Sequence, residues 1–279
     1  MTQKRSGQER IGTSGWLYPH WRGPFYPGGL SKQKQLPYLA QRLSTVEVNG
    51  TFYSLTNPRT CDAWRDAVPD DFLFAIKGSR YITHMLKLRN FEVPLANFLS
   101  SGVLRLGKKL GPILWQLPPQ LPFDEGRATG FLAALPRTVA AAERLARRHD
   151  ARTRGRAALT APDGRNLDLR HALEVRHPSW LEKRALDVLR AADVALVSAD
   201  TAGRYPFSLE RTASFAYVRL HGSRQLYASR YVDQELTVWA GVISAWRSEG
   251  SDVYAYFDND AQAHAPQDAL RLATLLSRR

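Results

Sequence analysis

Eight short apolar runs, each closing on a polar or charged residue, constrain this chain more than any other feature. They are Arg10–Trp16, Thr45–Tyr53, Phe72–Gly78, Pro112–Leu117, Ala172–His177, Ala195–Thr201, Phe215–Gly222 and Val253–Asn259. Side chains alternate faces along a strand, so residues two apart share a face. Val46 and Val48 take one face of the second run, Glu47 and Asn49 the other. Leu173 and Val175 oppose Glu174 and Arg176, and Val218 and Leu220 oppose Arg219 and His221. Lys77, Gln116, Asp200 and Asp258 close their own runs in the same way. Eight strands with polar groups gathered at their C-terminal ends is the layout of a (β/α)8 barrel with its site at that end.

Helical patterns fall between the runs. Leu36, Leu39, Ala40 and Leu43 follow helical spacing, with Ser31 as a candidate N-cap. Further helices are expected over Arg59–Ala67, Phe91–Lys109, Asp124–His149 (broken at Gly130 or Pro136), Trp180–Ala192, Ser229–Ser248 and Pro266–Leu276. Strands alternating with helices imply βα units and a parallel sheet. Ala151–Arg170 lacks periodicity and reads as a long loop. Ala202–Thr212 is too short and polar for a helix, so the sixth crossover is expected to be irregular. An open doubly wound sheet is the rival, but Gly12–Trp16 lacks the GxGxxG spacing and runs into aromatics and prolines. The fold class is therefore read as α/β, a single (β/α)8 TIM barrel over 10–279, preceded by a flexible tail over 1–9.

The chain of 279 residues suits one such barrel. No run of about 18 apolar residues exists, so no membrane partner is expected, and the polar start is unlike a secretory signal. The single cysteine, Cys61, excludes an internal disulfide and suits a reducing, cytoplasmic setting. The net charge is +13, carried by 31 Arg and 8 Lys. A basic chain meets polyanions readily, although an arginine excess also follows from base composition alone. Arg144, Arg147, Arg148, Arg152, Arg154 and Arg156 are opposed locally only by Asp150, a pattern more typical of a solvated face than of a groove.

Several long motifs then occur in order: Ile11–Trp16, Trp21–Pro27, Thr45–Tyr53, Phe72–Lys77, Ile82–His84, Gly111–Pro119, Ala172–Trp180, Tyr217–Gly222 and Tyr256–Asp260. Together they resemble the DUF72 family, also called YecE-like, over nearly the whole chain. The resemblance implies a TIM barrel and a site, but no particular reaction. The Arg144–Arg170 stretch lies outside its motifs.

The candidate catalytic residues are Glu47, Glu174, His221 and Asp200, which can move protons from inward barrel faces. A structural pairing with Arg176, Arg219 or Lys77 is the alternative for either glutamate. Arg176 and Arg219 offer planar forks of donors suited to carboxylate or phosphate. With Lys77 they point to an anionic ligand, buried ion pairs being the competing explanation. Asn49, Gln116, Asp258 and Asn259 are expected to orient a polar ligand, Trp16 to flank it as a stacking aromatic, and Tyr18, Tyr53 and Trp180 to stand at the rim. His84 lies on a loop able to close over the site. His177 either contacts ligand or fixes the turn before Pro178. The spacings carry no metal signature and no cofactor motif, and no cofactor is expected. The functional expectation is an enzyme acting on a phosphate-bearing small molecule or nucleic acid, as a monomer. Non-catalytic nucleic-acid binding and a metal-dependent hydrolase or isomerase are the alternatives.

Overall fold

Each of the eight apolar runs overlaps a strand in the computed structural model, which describes residues 6–278. The strands are β1 (Glu9–Ser14), β2 (Thr45–Val48), β3 (Leu73–Lys77), β4 (Leu110–Gln116), β5 (His171–Glu174), β6 (Val194–Asp200), β7 (Phe215–Leu220) and β8 (Asp252–Phe257). They neighbour one another in chain order and close into a barrel. Residues of β2, β5 and β7 are buried at every position, as expected of parallel strands covered on both faces.

The helices among the described residues are α1 (Lys32–Ala40), α2 (Gly50–Tyr53), α3 (Pro58–Asp66), α4 (Glu92–Ser100), α5 (Glu125–Ala134), α6 (Val139–Ala146), α7 (Lys183–Ala191), α8 (Asp233–Ser248) and α9 (His264–Ser277). Their starts follow local chemistry. Asn57 accepts from Arg59 N at 3.0 Å, with Pro58 in the first turn. Asp124 accepts from Arg127 N at 2.8 Å, and Thr138 from Ala141 N at 3.1 Å.

The structure amends several expectations. The second run leaves the strand at Val48, and residues 50–53 coil into α2. The long fourth helix breaks at Pro136 rather than Gly130, because proline lacks the N–H that helix continuation needs. The third helix ends at Ser100, and Val103–Lys109 forms a tighter 3-10 segment in which Gly107 turns to φ 55°. A 3-10 turn at Pro178–Leu181 precedes α7, and α8 starts only at Asp233. Residues 1–5 of the expected tail lie outside the described residues. The rest of it is held: buried Gly7 donates to Arg247 O at 2.9 Å, and Glu9 pairs with Arg247 at 2.7 Å. The sixth crossover has no helix, as expected.

The chain divides into two compact units, one up to Glu47 and from Ala195 onward, the other Val48–Val194. In the first, Ser14 of β1 is the Cα partner of Glu47 in β2, and Arg219 of β7 is partnered by Ala199 in β6 and Tyr256 in β8. In the second, Lys77 of β3 is partnered by Leu114 of β4, and Gln116 of β4 by Glu174 of β5. In the second unit, Arg144, Arg147, Arg148, Arg152, Arg154 and Arg156 are all exposed. The loop carrying three of them is pinned by side chains: Asn97 donates to Asp150 at 3.0 Å, and Ser100 bonds Thr153 at 3.0 Å.

Candidate functional site

Polar side chains collect at strand C-terminal ends in both units, and they form two different kinds of cluster. In the first unit the cluster centres on Glu47, which is fully buried. Arg219 grips it with both arms of its fork, Nε to Oε2 at 3.1 Å and Nη2 to Oε1 at 2.7 Å. Tyr217 donates its hydroxyl to Oε2 at 2.7 Å, and Ser14 donates to Oε1. Arg219 also donates from Nη2 to Asp258 Oδ2 and to Ser14 Oγ, each at 3.0 Å. Its Nη1 lies 3.2 Å from His221 Nε2. A guanidinium can only donate, so that nitrogen accepts. The proton of a neutral His221 ring is then on Nδ1, which lies 3.0 Å from Asp258 Oδ2.

Strand alternation builds this cluster. Tyr217, Arg219 and His221 are two residues apart and share a face. Burial, aided by the Glu47 charge, pushes the Tyr217 hydroxyl well above its usual pKa, so it stays a donor. Beneath it the Tyr217 and Tyr256 rings lie 5.1 Å apart, and Tyr256 OH bonds Thr45 Oγ1 at 2.9 Å.

In the second unit the last residues of β3, β4 and β5 are Lys77, Gln116 and Glu174. Gln116 Nε2 donates to Glu174 Oε1 at 2.8 Å, and Arg176 donates to the same oxygen from Nε and Nη2, each at 3.2 Å. Lys77 Nζ stands 4.5 Å from the centre of the Phe52 ring. The edge of Phe52 meets His84 at 5.1 Å and Tyr53 at 5.0 Å, and Tyr53 is 70% exposed. Arg80 lies 5.9 Å over Tyr53. His84 occupies a π-helical turn, Tyr81–Met85, and its Nδ1 bonds Thr83 Oγ1 at 2.9 Å. Partial burial, then the charges of Arg176, Lys77 and Arg80, lower the His84 pKa to about 4, against a weaker opposing pull from Glu174. The imidazole is therefore neutral at pH 7.

Several expected ligand residues have structural work instead. Trp180 is buried, and its Nε1 donates to Leu121 O at 3.0 Å. It cannot stack at a rim. Trp16 is also buried, and its carbonyl accepts from Tyr26 OH at 2.8 Å. Asn259 is buried, with Nδ2 donating to Ser229 O and Asp268 Oδ2, each at 2.9 Å. His177 accepts from Ser179 N at 3.3 Å and so fixes the turn before α7. Arg219 is taken up by the Glu47 pair, which is the ion-pair alternative for it. Asp200 accepts from Tyr231 OH at 3.0 Å, apart from the Glu47 cluster's own hydrogen bonds. Asn49 stands just before α2 without capping it.

Sequence reasoning missed Ser14, Tyr217, Phe52 and Arg80. Tyr217 shares the parity of Arg219 and His221, and Ser14 that of Trp16, so alternation contained the signal. Phe52 and Arg80 follow strands, Phe52 on the single turn of α2 and Arg80 just before the Tyr81–Met85 turn, where strand alternation no longer applies. No group of three or more His, Cys, Asp or Glu side chains able to hold a metal occurs among the described residues.

The family model described as "Protein of unknown function DUF72" matches residues 10–279. This chain belongs to the DUF72 family. The DUF72 chain is 29% identical over 127 residues to the UPF0759 protein YecE of Escherichia coli K12, and equally to that of strain O157:H7. The match covers 45% of this chain and spans 44% of the length of those curated relatives. A DUF72 protein of Thermotoga maritima superposes with a TM-score of 0.77 at 22% identity, over 97% of this chain and 99% of that one. One from Enterococcus faecalis V583 gives 0.74 at 19% identity, over 97% and 96%. A D-psicose 3-epimerase of Clostridium cellulolyticum H10 gives 0.52 at 8% identity, over 96% and 98%. These likenesses show the barrel fold. No helix among the described residues is long and apolar enough to cross a membrane.

Proposed function

We propose that this DUF72 protein is an enzyme that binds a phosphate-bearing substrate at the ends of β3, β4 and β5 and works on it by proton transfer. The observation that carries this reading is the gathering of cations near His84. Arg176, Lys77 and Arg80 all act on its ring, with Glu174 opposing them, and Lys77 ends β3 while Arg176 follows β5. Positive charge gathered at strand ends favours an anion, and fixed cations stabilise negative charge developing in a transition state. Arg176, 12% exposed, and Lys77, 8% exposed, are the anion contacts. Glu174 and Gln116 are positioning residues that hold the Arg176 fork. His84, neutral before substrate arrives, is the group that accepts a proton. Tyr53 supplies an aromatic face at the rim. The enzyme is read as a cytoplasmic monomer, where Cys61 stays a thiol.

The test is binding of inorganic phosphate, and of labelled single- and double-stranded DNA and RNA, across a salt series. Arg176→Ala and the doubly substituted Arg147→Ala/Arg148→Ala protein are compared with wild type. Binding that weakens with salt, as phosphate contacts require, and that is lost in Arg176→Ala supports the reading. A protein that binds none of these anions is not this enzyme. The six exposed arginines from Arg144 to Arg156 favour one second reading, a non-catalytic nucleic-acid binder. Loss of oligonucleotide binding only in the doubly substituted protein would establish it.

A further inference from the structure

The first unit holds a groove that the proposed reaction does not use. It arises because the sixth crossover has no helix: residues 201–214 run irregularly from β6 to β7. The flank of α8 that a crossover helix would cover is left partly bare. Phe207 is 50% exposed, Leu209 43% and Val238 63%. Between this segment and α8 is a cavity of about 430 Å³, with Asp200, Phe207, Leu209, Val238, Trp239 and Val242 in its lining. That is the size and apolar character of a small-molecule site.

The charged group in its lining is Asp200, at the C-terminal end of β6. The carboxylate accepts from Tyr231 OH at 3.0 Å and from Ala202 N at 3.4 Å. Among the described residues it has no lysine or arginine ion-pair partner. Glu235, on the same helix as Val238 and Trp239, adds negative potential at Asp200. Burial, with that like charge, raises the Asp200 pKa above its usual value. A part-buried carboxylate without a cation costs free energy that an arriving cation would offset. The walls are aromatic. Phe207 and Trp239 meet edge to face at 6.2 Å, and ring faces attract cations. The guanidinium of Arg204 already lies 5.8 Å over Tyr205, leaving the other two rings for a ligand.

We propose that this groove is a second binding site, for an organic ammonium ion carried on an apolar body. The ammonium meets Asp200, and the body lies against Phe207, Leu209, Val238 and Trp239. The site is independent of the phosphate reading. In a protein of net charge +13 it selects the opposite sign of ligand from the cluster around His84.

The experiment is calorimetric titration of the full chain with phenethylamine and with 2-phenylethanol, a neutral analogue of similar size. Phenethylamine should bind more tightly, by on the order of tenfold, the difference one good charge contact makes. Asp200→Asn should remove that preference. Val238→Trp, at an exposed position, should fill the groove and weaken both compounds by on the order of tenfold. It decides the matter if Asp200→Asn does not fold. Equal binding of the two compounds, binding insensitive to Val238→Trp, or no phenethylamine binding at millimolar concentration would each overturn the proposal.

Discussion

The two strand-end clusters use the same residue types to opposite ends. Around Glu47 the ion pair is closed: glutamate and arginine are both fully buried, joined through two parallel contacts, and flanked by Tyr217 and Ser14. Around Glu174 it is looser, an open pair by comparison: Arg176 donates from Nε and Nη2 to Oε1 at 3.2 Å each, and its side chain is 12% exposed against 0% for Arg219. A carboxylate–arginine pair at a strand end is therefore not by itself a sign of function. The surroundings decide how tightly the charges hold each other.

The largest expected effect comes from breaking the closed pair. Arg219→Met leaves Glu47 buried without its cation, and removing one partner of a buried pair costs about 3–5 kcal/mol. Arg176→Met in the open cluster should cost less, because Gln116 still donates to the same Glu174 oxygen and the Arg176 side chain is 12% exposed against 0% for Arg219. Urea unfolding of both variants measures the contrast. Equal losses would mean that the two clusters do not differ in kind.

That contrast also marks what the sequence reveals. All eight strands were legible, because period-two alternation and polar endings are local properties. So was the missing sixth helix, since Ala202–Thr212 has neither the length nor the apolar face for one. The candidate site was legible only as a set of inward residues. Nothing in the residues around Arg219 and Arg176 says that one would grip both oxygens of Glu47 and the other would donate twice to Glu174 Oε1. That depends on register between strands far apart in sequence: 172 residues separate Arg219 from Glu47, whereas two separate Arg176 from Glu174. Trp180 and Asn259 misled for a related reason. Both follow strand ends, as ligand residues do, but the next turn folds each one inward.

Acid separates the clusters next. His84, in the open cluster, is lowered to about 4, and the fully buried His171 to about 3, in both cases chiefly by burial. His171 is held neutral, with Nδ1 3.2 Å from Trp115 Nε1 and Nε2 2.8 Å from Pro136 O. In the unfolded chain both rings protonate near about 6.5. Between that pH and the folded values the unfolded state binds more protons, so stability is full above about 6.5 and falls as pH drops toward 4. His84→Asn should flatten the upper part of that loss. Saturating phosphate should raise the His84 pKa, because a bound anion offsets Arg176, Lys77 and Arg80. Proton NMR of the His84 ring with and without phosphate measures this shift. An unchanged pKa in protein that does bind phosphate would separate His84 from the anion site.

Anion affinity is the next measure. Lys77→Met removes one of two direct contacts and should weaken phosphate binding by on the order of tenfold, about 1.4 kcal/mol. The same measurement on Tyr217→Phe in the closed cluster should show no change, since that hydroxyl is turned to Glu47. Weakened phosphate binding in Tyr217→Phe would make the closed cluster part of the binding machinery.

The smallest effect is expected at the surface arginines, and it tests whether charge or placement matters. Arg147 and Arg148 contribute to the +13 net charge as much as Arg176 does. Both are exposed, beside the end of α6, where salt screens them and no buried group depends on them. Replacing both with alanine should shift stability by less than about 0.5 kcal/mol. Phosphate affinity should remain within about twofold of wild type, because both side chains are exposed and salt screens exposed charges. If the double variant instead loses phosphate as Lys77→Met does, the anion is held by net charge and not by the strand ends. The difference between the open and closed clusters would then have no bearing on binding.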